Sequence, residues 1–164
     1  MSRQFIFRHY WWIALLGAGV SISAVLAWAT CDRMPLVGSV IAAALAFCYF
    51  AQQQKLAEMS LFKELFTDFN RRYDALNDRL MQIVTSRETL GQEDRQAVVD
   101  YCNLCAEEYL FFSEGYIHQQ AWRSWCRGML WYFDREPFQA VWEQEIATKS
   151  YYGLSLDVIR RGAA

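Results

Sequence analysis

Two apolar runs lie back to back near the start of the chain, Tyr10–Thr30 and Met34–Ala51, and only Cys31-Asp32-Arg33 separates them. A run of about 17–25 mostly apolar residues is what a helix needs to cross a bilayer core. Neither run carries a charged side chain. A connection this short permits only a helical hairpin, so the pattern predicts two membrane spans, about 10–30 and 34–51. No Pro or Gly occurs from Ser39 to Leu90, so the second span can run on as a long cytoplasmic helix. Met59, Phe62, Phe66, Phe69, Tyr73, Leu76, Leu80 and Ile83 then follow in alternating steps of three and four, a heptad seam. Phe and Tyr at those positions suit packing inside a bundle better than a narrow two-stranded coil.

A connection is expected from Thr85 to Gln96, punctuated by Gly91. Val98, Cys102, Cys105, Tyr109 and Phe112 mark a third helix, with Gly115 as its stop. A fourth runs from about His118 to Phe133, and Pro137 suits the first turn of a fifth. Tyr151 to Leu154 and a short basic tail close the chain. No alternating run is long enough for a strand. The fold class is all-α: a transmembrane hairpin over 1–51 followed by a cytoplasmic helical bundle over 52–164.

Charge sets the orientation. Arg3 and Arg8 precede the first span, and Lys55, Lys63, Arg71 and Arg72 follow the second, while the tip carries one Arg against one Asp. Positive residues favour the cytoplasm, so both termini should lie inside. His9, Tyr10, Trp11 and Trp12 would sit at the first interface. The rival reading is a cleaved signal peptide with Ala27-Trp28-Ala29 as its cleavage site, but the apolar run exceeds a typical signal core and a second span follows at once. A formal net charge of −2 gives no footprint for nucleic acid.

Small residues recur in the spans. Gly17 and Ser21 are four apart, as are Gly19 and Ser23, and Gly38, Ala42 and Ala46 form another row. Such rows let helices approach closely in lipid. They serve packing of the two spans on each other or packing between copies, making a homo-oligomer. The absence of Asp, Glu, Lys and Arg from the spans argues against a proton relay or a charge-selective transporter.

Chemistry is sparse. Cys102 and Cys105 form a C-x-x-C, with His118 and Cys126 downstream, the right count for a zinc site. The spacing matches no common zinc pattern, and both first cysteines fall on an apolar helix face, where Cys behaves as a small hydrophobe. Glu107 and Glu108 are adjacent and point about 100° apart, so they do not converge. Glu107 and Glu114 share a face that Arg123 and Arg127 could pair with. No phosphate loop, nucleophile elbow or His-rich set is present. The expectation is no enzyme, no cofactor and no metal. Glu107, Glu108, Glu114 and Arg123, with Trp122, Trp125 and Trp131, are the candidates for docking a partner protein.

Leu61-Phe62-Lys63-Glu64-Leu65-Phe66 and Phe69-Asn70-Arg71-Arg72-Tyr73-Asp74-Ala75-Leu76-Asn77 directly follow two spans. Together with Tyr101-Cys102-Asn103-Leu104-Cys105-Ala106-Glu107-Glu108-Tyr109, Glu114-Gly115-Tyr116-Ile117 and Trp122-Arg123-Ser124-Trp125, they resemble small two-span bacterial proteins of phage defence, of the abortive-infection and retron membrane-effector type. The resemblance runs from Tyr10 to about Leu154 and rests on packing motifs. It implies a bacterial inner-membrane effector, held silent by a regulatory protein or ribonucleoprotein, that oligomerises and disrupts the membrane on activation. Gly17, Gly19, Ser21, Gly38 and Ala42 would then pack the spans. A non-toxic membrane-anchored adaptor that recruits a cytosolic protein is the alternative.

Overall fold

The computed structural model describes residues 12, 15–24, 27, 33–86 and 89–164. Every regular element among the described residues is α-helical: α1 (Leu15–Ala24), α2 (Arg33–Thr85), α3 (Gln92–Ser113), α4 (Gln119–Phe133), α5 (Phe138–Ile146) and α6 (Leu156–Ala163). The ends of the first expected span, the tip residues Cys31 and Asp32, and Arg3, Arg8, His9, Tyr10 and Trp11 lie outside the described residues. The chain divides into two compact units, Met1–Ser60 and Leu61–Ala164.

In the first unit, α2 is long and apolar enough at its start to cross a membrane. Leu36, Ile41, Leu45, Tyr49 and Phe50 are exposed along it, while Cys48 and Ala51 are buried. Hydroxyls in both apolar helices are satisfied locally: Ser23 Oγ donates to the Gly19 carbonyl and Ser39 Oγ to the Pro35 carbonyl, each at 2.9 Å. Such internal pairing is what a lipid environment demands of polar groups.

The second unit is a helical bundle around one core. α2 enters it through the heptad seam: Phe69, Leu80 and Ile83 are buried, with Phe62, Tyr73 and Leu76 packed against them. Met59, the first residue of the expected seam, is 59 % exposed, and Phe66 is only partly covered. The contacts α2 makes with α3 and α4 run through large rings. Phe69 meets Phe111 and Trp125, each at 5.8 Å, and Tyr73 meets Tyr101 at 6.3 Å. α3 is the central helix and buries a wide arc that includes Val98, Tyr101, Cys102, Leu104 and Cys105.

Helix α3 starts at Gln92, earlier than the expected connection allowed, because Gly91 sits extended at its N-cap and Glu93 and Asp94 favour the positive end of the helix dipole. It stops at Gly115, at φ +83°. The Tyr116 N–H donates to the Phe111 carbonyl and the Gly115 N–H to the Phe112 carbonyl, each at 2.9 Å, and the Tyr116 ring packs on Phe111. This is the paired closure of a Schellman motif. A Cβ built on Gly115 meets nothing within 4 Å, so the cost of a side chain there is purely that of the left-handed backbone. Gly115→Ala should therefore lower stability by about 1–2 kcal/mol in urea unfolding. A loss within experimental error would show that the turn is not needed to stop α3.

Two elements differ from expectation. Pro137 is the N-cap of α5 and not a first-turn residue. The supposed basic tail is a helix, α6, started by Ser155 Oγ accepting from the Val158 N–H at 3.3 Å. Asp157 in its first turn and Arg160 and Arg161 in its last match the dipole. Helix α6 lies against α4 with Ile159 and Gly162 buried, and Arg127 Nε donates to the Ala163 carbonyl at 3.1 Å.

Candidate functional site

The helical bundle carries an open groove of about 480 Å³ between α2, α3 and the 147–155 loop. Leu76, Leu104, Ala75 and Ala106 form its apolar lining, and Arg72, Asp100, Asn103, Glu107, Ser150 and Tyr152 supply the polar groups. Arg72 and Arg79 of α2 reach across to acidic side chains of α3, Arg79 also lying 3.9 Å from Glu93. Arg72 holds Glu107 with two bonds of 2.6 and 3.0 Å, and one helical stretch away Arg79 Nε meets Asp94 at 2.7 Å. Alanine at 75 and 106 leaves the space. The loop beyond is held by Tyr151, which is buried and donates to Glu145 at 3.0 Å, while Tyr152 projects exposed at φ +52°. The bond to Glu107 raises the Arg72 pKa, so this cation stays charged at any cellular pH.

Behind the groove, the interior holds polar groups on apolar walls. Tyr132 donates to Asn77 Oδ1 at 3.2 Å and lies 3.3 Å from the Tyr73 hydroxyl, linking α2 to α4. Glu108 is 7 % exposed. Burial pushes its carboxyl pKa up to about 8, partly opposed by Arg72 and reinforced by Glu107. Glu108 is therefore mostly a neutral acid at neutral pH. Burial also pushes the Cys102 and Cys126 thiols up to about 12 and raises Cys105 well above its usual range. Thiols held protonated in this way are poor nucleophiles and poor metal ligands.

The structure separates the residues proposed from sequence. Cys102, Cys105 and Cys126 are buried free thiols, whereas His118 is exposed at the N-cap of α4 with its ring 4.3 Å from Phe62. Among the described residues no group of three or more His, Cys, Asp or Glu side chains is arranged to hold a metal. Trp122 is 1 % exposed and stacks on Phe112 at 4.8 Å, so it offers no docking surface. Glu108 is withdrawn for the same reason: its helix is covered on that face by α2 and α4. Glu107 pairs with Arg72 rather than with Arg123 or Arg127. Glu114 and Arg123 remain exposed, Trp125 is half-buried between Phe66 and Phe69, and Trp131 is partly exposed with the Arg135 guanidinium 3.9 Å over its ring.

In the first unit Gly17, Gly19, Ser21, Gly38 and Ala42 are all exposed. Among the described residues nothing lies within 4 Å of a Cβ built on any of the three glycines. Arg72, Asp100, Asn103 and Tyr152 were not singled out as site residues. Arg72 counted only as one of the positive residues after the second span, and its partner stands 35 residues away, where no local spacing could reveal it. Comparisons with known protein families, with characterised proteins and with solved structures find no match.

Proposed function

We propose that this chain is a membrane-embedded effector of bacterial antiphage defence that disrupts the inner membrane when its helical domain is released from a partner. The observation that carries this reading is α2 itself. One unbroken helix supplies both an uncharged membrane-length segment and the Phe69, Leu80 and Ile83 wall of the bundle core. An event that alters bundle packing therefore acts on the same helix that lies in lipid. In this reading α1 and α2 form the hairpin, both termini are cytoplasmic, and the open glycine faces of the spans are available to other copies. The partner is a regulatory protein or a ribonucleoprotein. The chemistry is assembly and not catalysis, in keeping with protonated thiols and a neutral Glu108 in the interior.

The adaptor reading, in which the anchored domain recruits a protein and permeabilises nothing, is favoured by the groove beside Arg72 and Tyr152. Inner-membrane potential distinguishes the two. A voltage-sensitive dye read during induction, with and without phage, should report rapid depolarisation that requires α2. Gly38→Leu should insert normally and depolarise several-fold more slowly, because the bulky side chain blocks close helix approach. An unchanged potential in both conditions, with the protein in the membrane fraction, would replace the effector by the adaptor.

A further inference from the structure

A line of exposed positions runs along the first half of α2. Gly38, Leu45, Tyr49, Gln52, Leu56 and Met59 follow in steps of seven, four, three, four and three, which keeps them within about 80° of arc on one helix face. Leu45 and Tyr49 are each 65 % exposed, Leu56 60 % and Met59 59 %. Lipid would cover such side chains within the bilayer. In the membrane reading, the uncharged run that lipid covers stops short of the last two. Leu56 and Met59 stand five and eight residues beyond Ala51, where the uncharged run ends, about 8 and 12 Å further along the helix axis. The intervening Gln52-Gln53-Gln54-Lys55 marks the exit into water. The same apolar line continues past the surface that could solvate it.

We infer that this line is a parallel helix–helix contact between two copies of the chain. The membrane reading of α2, on which this inference rests, dictates the geometry. All copies insert with one orientation and at one depth, so α2 of a second copy presents the same residues at the same height. A self-matching stripe is what a two-fold contact requires. Gly38 begins the line with open space around its Cα, which allows close approach inside the membrane. Leu56 and Met59 end it in water, where burying them against their copies is favourable. Gln52 falls on the line just outside the uncharged run. Opposite its own copy it meets an amide that both donates and accepts, so the pair is satisfied only in register.

Photo-crosslinking of the full-length protein in its native membrane tests this without touching the cysteines. A benzophenone amino acid is placed at Leu56, at Met59, or at Ala57, which is exposed but lies about 120° around the helix from the centre of the line. Carbonate extraction reports insertion independently. The expected result is a self-adduct at 56 and 59, at least about fivefold more abundant than at 57, given the directional reach of a seam. Gln52→Glu, which sets like charges face to face, should abolish the self-adduct at neutral pH and restore it in acid. An inserted protein with no self-adduct, with equal yields at all three positions, or with adducts only to another protein, overturns the inference and leaves the membrane reading standing. A protein that carbonate extracts overturns both.

Discussion

Glu108→Gln should make the helical domain more stable at neutral pH and should flatten its dependence on pH. The side chain is buried beside Tyr101 and Cys105 of its own helix, with Arg72 of α2 and Cys126 of α4 acting on it, and its carboxyl pKa is pushed up to about 8. Arg72 opposes this rise only in part, and its guanidinium is bound in two places by Glu107. An unfolded chain releases the Glu108 proton near pH 4.5. Between those two values the folded state holds a proton that the unfolded state has lost. Stability is thus fully present below pH 4.5, falls as pH rises, and levels off above about 8. The loss reaches about 3 kcal/mol by pH 7. Glutamine keeps the shape and removes the titration. Thermal unfolding of the wild type, followed by near-UV circular dichroism, should drop by several degrees or more from pH 5 to pH 8. Glu108→Gln should lie higher and nearly level at neutral pH. A wild-type midpoint that does not change across this range would show that Glu108 reaches solvent or a partner when ionised.

The second large effect is expected at the far end of the chain. A Cβ built on Gly162 lies 2.5 Å from Cys126 Sγ and 2.6 Å from Trp122 Nε1. Both are interior side chains, Cys126 wholly buried and Trp122 nearly so, which leaves no free direction for them to yield. Helix α6 must retreat from α4, and the retreat uncovers Ile159 and the indole together. Gly162→Ala should cost about 1–3 kcal/mol by overpacking, and a larger residue should undock the helix. The readouts are a lowered urea midpoint and a red-shifted tryptophan emission. Cys126→Ala removes one of the two obstructing atoms. In that background Gly162→Ala should cost less than in the wild type, a coupling that a double-mutant cycle measures directly. Additive losses would mean that α6 is held elsewhere, through Ser155 and Arg127.

Neither Glu108 nor Gly162 was legible in the sequence, whereas the long elements were. Period carried the long elements. The Phe69–Tyr73–Leu76–Leu80–Ile83 spacing identified the wall of the core because a seam sustained over several turns leaves few alternatives. Gly115 announced the end of α3 by the same logic. Helix α6 escaped because it has barely two turns, and the residue that seats it is a glycine, which carries no hydrophobic signal. Glu108 escaped because a carboxylate is read as solvated by default. Its spacing from Tyr101, Cys105 and Phe112, in steps of four, three and four, already placed it on the flank of the apolar face of α3. One apolar stripe was credited to a helix that has a wider one, as a central helix must. The groove was illegible for another reason: Arg72, Asp100 and Tyr152 come from α2, α3 and the loop after α5, and only the packing of all three brings them together.

The buried thiols have a consequence for how the cell's chemistry meets this protein. Peroxides, electrophilic drugs and glutathione disulfide all react through the thiolate. Cys102, Cys105 and Cys126 present almost none of it and almost no surface. Reagents that attack thiolates would leave these three side chains of the folded domain unmodified. An unfolded chain would expose the same three thiols, so thiol oxidation would single out unfolded molecules.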